Sequence, residues 1–130
     1  MEWKKNINIV DARKLSKIFC DYFELSPCMI YYVDVFHDKD DYGIYFDIEP
    51  TILILKKCPN RIGVLVHELT HHLQYQKYDM KKDSRIHGYP YQLARNRVDR
   101  WCNKYISSKP NWAKPLGAFQ DFNDMKEFEL

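Results

Sequence analysis

The pentapeptide His67-Glu68-Leu69-Thr70-His71 constrains this chain more than any other feature, because it falls within an amphipathic helix pattern. Asn60 precedes that pattern as a possible N-cap, so the sequence predicts a helix beginning just after it. Residues four apart share one face of a helix, so both imidazoles point in the same direction. Glu68 follows His67 directly and lies one residue further round the helix axis, next to this face. The polar side of this helix is therefore predicted to line a site. Its apolar stripe comprises Ile62, Leu65, Val66, Leu69 and Leu73.

The chain before this helix predicts one helix and three strands. Asp11 is the expected N-cap of an N-terminal helix that ends before Pro27. Residues 29–36 and 44–48 are apolar or alternating and are separated by turn-forming residues, which predicts a hairpin. Residues 51–57 form a further apolar run, expected to be a third strand buried on both faces.

After the motif helix, a third helix is expected from about Tyr89 to residues 107–110. The tail at 110–130 is expected to dock as a short helix. The whole pattern predicts a single α+β domain over residues 1–130, with a small three-stranded sheet against the motif helix.

The composition bounds the class of protein. The 130 residues are 45% hydrophobic with only four Gly, which is typical of one folded domain. The longest apolar run is residues 28–33, far short of the roughly 20 residues that span a bilayer, and the N-terminus lacks a signal-peptide pattern. We expect a cytoplasmic protein without membrane contact. The four cysteines form no CxxC pair and are expected to be reduced and buried.

The HExxH pattern predicts a Zn²⁺ site. Two histidines at i and i+4 can reach one ion at about 2.0–2.1 Å, while Glu68 is placed to act as a general base. A catalytic zinc needs a third protein ligand, and His87 is the expected donor. Fifteen residues separate it from His71, enough to end the helix and turn back, and Gly88 lets the backbone bend there.

These residues, His67 to His71 followed by His87-Gly88-x-x-Tyr91, resemble the SprT-like (Spartan-type) zinc metalloproteases. The resemblance implies a zincin-like fold and an endopeptidase that hydrolyses a protein or peptide substrate. It implies that His67, His71 and His87 bind zinc, that Glu68 is catalytic, and that the strand at 44–48 holds an extended peptide. Tyr91 stands where the family usually has Phe. The cysteine zinc ribbon of bacterial members is missing, and the size is common among phage and mobile-element proteins.

Two further residues near the motif, Asp99 and His72, carry side chains that can bind a metal. Small gluzincins take the third ligand from the following helix, where Asp99 is the only carboxylate, so Asp99 is an alternative to His87. His72 lies about 100° round the helix from His71 and is expected to be partly exposed or to support a ligand from behind. An oxyanion stabiliser is also needed, and the candidates are Tyr89, Tyr91, Arg95 and Arg97.

The charge is uneven although the net charge is only +2. Residues 77–114 hold ten Lys or Arg against three Asp, which predicts contact with nucleic acid or with an acidic partner. The alternative to a protease is therefore a zinc-stabilised, non-catalytic binding module that contacts DNA or a protein.

Overall fold

The computed structural model describes residues 4–36, 41–105 and 126–130. The elements follow one another as helix, three strands and two helices, with a further helical segment at residues 126–128. The α+β class and the small three-stranded sheet predicted from the sequence are confirmed. In chain order the elements are α1 (Ile9–Phe23), β1 (Met29–Val33), β2 (Gly43–Phe46), β3 (Thr51–Leu55), α2 (Arg61–Lys77) and α3 (Tyr89–Tyr105).

The strand order is β1-β3-β2, so the predicted hairpin between the first two strands is wrong. β1 pairs in parallel with β3, and β2 pairs with β3 in the antiparallel sense. The only tight hairpin among these strands therefore joins β2 to β3 through residues 47–50. β3 takes the central position, which leaves β2 at an edge of the described sheet. Burial alternates along β3, with Ile52 and Ile54 fully buried and Thr51 and Leu53 half-buried, so the expected burial on both faces is not observed at these two residues.

The N-cap of the first helix lies three residues earlier than predicted. The side chain of Asn8 accepts a hydrogen bond from the backbone N–H of Asp11, so Asn8 is the N-cap and Asp11 lies in the first turn. The buried face of α1 meets the last helix, where the ring of Phe19 lies edge-on to Trp101 at 5.1 Å between centroids. This contact joins the N-terminal helix to α3.

α2 is enclosed by other elements on most of its circumference, with the N-cap Asn60 as predicted. β2 and β3 lie against α2, whereas β1 lies against α1. Ile30, Ile52 and Ile54 on the inner face of the sheet are buried in the core. The polar residues Thr70, His72 and Gln74 of α2 are all fully buried as well. A helix buried this completely must provide hydrogen-bond partners for each polar group it carries.

His72 shows how α2 is tied to its neighbours. The sequence led us to expect a histidine that is partly exposed or behind a ligand, and instead its side chain is fully buried and hydrogen-bonded away from the other histidines. Its Nε2 lies 2.7 Å from the carbonyl of Ser26, so Nε2 donates, and Nδ1 accepts from the hydroxyl of Tyr45 at 2.8 Å. Because Tyr45 lies on β2, this bond holds the edge strand against α2.

The C-terminal segment 126–130 docks beside the end of α2. Phe128 is buried and its ring stacks on Tyr89 at 5.6 Å, and the carbonyl of Phe128 accepts from the backbone N–H of Asp79. The rest of the predicted tail, and the predicted end of the third helix at 107–110, lie outside the described residues. All four cysteines are buried and free. No helix in the described part of the chain has the length and apolarity to cross a membrane.

Substitution of Tyr45 by Phe is expected to destabilise the fold by about 1–3 kcal/mol, since it leaves Nδ1 of the buried His72 without a donor. Urea unfolding of the two proteins measures this difference. Tyr31→Phe is the matched control, because Tyr31 is partly exposed on the outer face of the sheet. Equal midpoints for wild type and Tyr45→Phe would show that this hydrogen bond does not hold β2 in place.

Candidate metal centre

Three histidine side chains converge on one point beside α2. His67 and His71 come from successive turns of the helix, and His87 comes from the loop just before α3. One ring nitrogen of each lies within 4.8 Å of the others, and the ring centroids are 4.9–5.5 Å apart. The three residues are thus positioned to bind a single metal ion.

The ring of His71 is oriented by Gln74, one turn further along the helix. Nδ1 of His71 lies 2.7 Å from Oε1 of Gln74. The amide nitrogen of Gln74 donates to the carbonyl of Ile86 at 2.9 Å, so the oxygen of that amide must be the atom that faces His71. Nδ1 of His71 therefore carries the proton, which leaves Nε2 as the nitrogen with a lone pair for a metal.

His67 has a comparable partner in Tyr91, on the first turn of α3. The hydroxyl of Tyr91 lies 3.0 Å from Nδ1 of His67. Its ring also packs against the other two histidines, with centroids 4.9 Å from His71 and 4.7 Å from His87. Tyr91 thus contacts all three imidazoles.

The loop that carries His87 is held by the carboxylate of Asp83. This carboxylate accepts hydrogen bonds from the guanidinium of Arg85 and from the backbone N–H of Tyr89, at the start of α3. Both contacts hold its pKa below the ordinary value. A Cβ at Gly88 would lie only 2.5–2.7 Å from the same carboxylate, so glycine is needed here for close approach.

Desolvation favours the neutral form of all three imidazoles, including that of the exposed His87. Burial, together with the neighbouring histidines, lowers the pKa of His67 to about 3 and that of His71 to about 4. Desolvation also lowers the pKa of His87. Metal ligands must be unprotonated, so this cluster has the protonation state that metal binding requires at neutral pH. The donor type suits zinc as well as several other transition metals.

Glu68 lies beside the cluster, with Oε1 3.9 Å from Nε2 of His67. Its side chain is 9% exposed, and burial, helped by the negative charge of Asp41, raises its pKa to about 7. Gly43, at the start of β2, permits this packing, because a Cβ there would contact Val64 and Glu68. A carboxyl group with a pKa near neutrality can both accept and release a proton.

A cleft of about 360 Å³ opens next to Glu68 and His67. It lies between the start of β2 and the first turns of α2, and its wall includes Asp41 and Asn60. The cleft reaches His67 and Glu68 from the start of β2, which is an edge strand of the described sheet.

The other predicted site residues divide into two groups. Arg95 is buried, and its positive charge contributes to the lowered pKa of His67, so it lies near the cluster with Tyr91. By contrast, Tyr89 stacks on Phe128, and the guanidinium of Arg97 donates to the hydroxyl of Tyr78 and lies over the ring of Phe23. Neither of these two contacts is at the metal centre. Asp99 does not belong to the ligand cluster.

Several basic side chains of the segment 77–114 form hydrogen bonds or ion pairs with other residues of the protein. Arg85 pairs with Asp83 at 2.7 Å, Lys82 donates to the carbonyl of Glu127, and Arg97 is engaged with Tyr78. Residues 106–114 lie outside the described part of the chain. Nucleic-acid binding by this segment stays a prediction.

Gln74 contacts a residue of the cluster, His71, and is not among the predicted site residues. The sequence does indicate this contact, because Gln74 follows His71 by three residues and the two side chains therefore lie on one face of the helix.

Comparison of the chain with protein-family models, with curated proteins and with solved structures returned no match. The resemblance to SprT-like proteases therefore rests on the motif residues themselves.

His87→Ala is expected to weaken Zn²⁺ binding by more than about 100-fold, because loss of a ligand should exceed the 10–100-fold effect of losing an outer partner. Asp99→Asn, which lies outside the cluster, should bind within twofold of wild type. Competition with a chelator of known affinity measures both. The opposite ranking would make Asp99 the third ligand.

Zinc-free Glu68→Gln is expected to be more stable than zinc-free wild type above pH 7. A carboxyl group whose pKa rises from 4.5 to about 7 on folding stays protonated longer in the folded state, so wild type loses stability as pH rises through this window. The advantage of the variant should reach the order of 3 kcal/mol at pH 8 and vanish below pH 4.5. Denaturant unfolding at pH 4.5 and pH 8 measures it, and a constant difference would contradict the burial of Glu68.

Proposed function

We propose that this protein is a zinc-dependent endopeptidase of the SprT-like type. The observation that carries the proposal is the buried carboxyl group of Glu68 beside three convergent, neutral histidines. Burying a carboxyl group is costly, and a metal held only for structural reasons has no use for a proton acceptor at its side. The non-catalytic binding module is disfavoured for that reason.

Zn²⁺, when bound by His67, His71 and His87, would polarise a peptide carbonyl and make a water molecule more acidic. Glu68 accepts the proton of the attacking water and delivers it to the leaving amine. The buried cation of Arg95 is the candidate near the cluster for stabilising the developing negative charge, because the hydroxyl of Tyr91 is engaged with Nδ1 of His67.

The substrate would be an extended segment of polypeptide. In the described sheet, β2 is paired on one side only, so its other edge offers backbone donors and acceptors to a further strand. A peptide added there would run along the cleft and carry one of its peptide bonds past Glu68. The zincin-like character of the fold and the role of the strand at 44–48 belong to this proposal.

Glu68→Gln tests the proposal, because the amide keeps the shape of the side chain and cannot accept the proton. The variant should bind Zn²⁺ as wild type does and cleave fluorescein-labelled casein at least 100-fold more slowly. Glu49→Gln, an exposed carboxylate on the β2–β3 turn, is the matched control and should cleave normally. Equal cleavage by zinc-loaded Glu68→Gln and wild type, or no cleavage by zinc-loaded wild type, would refute the peptidase.

A further inference from the structure

We propose that Gln74 is a positioning residue that couples two ligands of the metal centre, His71 and His87. The inference rests on the proposed zinc centre and adds a residue that acts through the ligands. Gln74 is fully buried on α2, and both ends of its amide are used. One end meets a ligand from the helix and the other meets the loop that brings the third ligand.

The first contact fixes the tautomer of His71. Because Oε1 of Gln74 can only accept, the proton of the neutral imidazole must lie on Nδ1. The lone pair is then on Nε2, which is directed to the same point as the other two histidines. Without this acceptor the ring could carry its proton on either nitrogen, and part of the population would have no lone pair at the metal.

The second contact fixes the backbone next to His87. Nε2 of Gln74 donates to the carbonyl of Ile86, the residue just before His87. Ile86 is otherwise exposed, at 59%, so its side chain does little to anchor the loop. The amide of Gln74 thus sets how far the loop stands from α2, and with it the distance of His87 from the helix histidines.

Few side chains can make both contacts. Glu would accept from His71 but would place a carboxylate oxygen against the carbonyl of Ile86, and Leu can make neither bond. An amide that accepts at one atom and donates at the other meets both requirements. The two functions can therefore be separated by substitution.

The first experiment compares Gln74→Leu with Gln76→Leu. Gln76 lies on the same helix and also makes two amide hydrogen bonds, but both go to Ser26, away from the metal centre. Zinc affinity, measured by chelator competition on the full chain, should fall 10–100-fold in Gln74→Leu and stay within twofold of wild type in Gln76→Leu. Equal affinities for the two variants would overturn the proposal.

The second experiment tests the connection to His87 with a variant that keeps the acceptor. Gln74→Glu should weaken Zn²⁺ binding at least about fivefold in the wild-type background and cause no further loss in His87→Ala. That non-additivity is expected only if Gln74 acts through the loop that carries His87. If Gln74→Glu weakens Zn²⁺ binding as much in the His87→Ala background as in wild type, Gln74 does not position the third ligand.

A spectroscopic signature separates positioning from a merely structural role. In zinc-loaded, ¹⁵N-labelled protein, a slowly exchanging proton should be found on Nδ1 of His71 in wild type and in Gln74→Glu, and should exchange faster in Gln74→Leu. A proton on Nε2 of His71 in wild type would refute the assignment. None of these measurements uses peptide cleavage. A protein that binds zinc but cleaves no peptide would refute the proposed peptidase, and the role of Gln74 in zinc binding would still be tested by these measurements.

Discussion

The burial of the polar side of α2 is the constraint on which the rest of the structure depends. A buried nitrogen or oxygen costs free energy unless it has a partner, and this helix buries histidines, a threonine and a glutamine between the sheet and α3. Thr70 and His72 satisfy this requirement within the protein, through Val66, Ser26 and Tyr45. His67 and His71 use Nδ1 in the same way, which leaves the second ring nitrogen of each for a metal. One ring nitrogen from each of the three histidines lies within 4.8 Å of the others. In His67 and His71, one ring nitrogen therefore forms a hydrogen bond that stabilises the fold, and the other nitrogen of the same ring can bind a metal.

The third ligand depends on a loop rather than on a helix, and the fold holds that loop at several points. Gln74 binds it just before His87, and Asp83 fixes the start of α3 just after it. The C-terminal segment adds a contact from outside, through the stacking of Phe128 on Tyr89. A loop held in this way loses little further entropy when its histidine binds a metal, which favours affinity.

The helical part of the molecule could be predicted from the sequence, because helix patterns are local. The motif helix, its cap at Asn60 and the shared face of His67 and His71 all follow from spacing along the chain. The strand order could not be predicted, since the parallel pairing of β1 with β3 joins residues that are distant in the chain and that no local pattern connects. The environment of His72 was missed for the same reason, because its partners Ser26 and Tyr45 lie 46 and 27 residues away. Gln74 was within reach of the spacing argument, but its second partner, Ile86, was not.

X-ray absorption at the zinc edge, on purified protein loaded with Zn²⁺, tests the central claim most directly. The account predicts one zinc ion per chain, with nitrogen and oxygen neighbours at about 2.0–2.1 Å and the outer-shell scattering of three imidazole rings. A sulfur neighbour at about 2.3 Å, fewer than three imidazoles, or no bound zinc would contradict it.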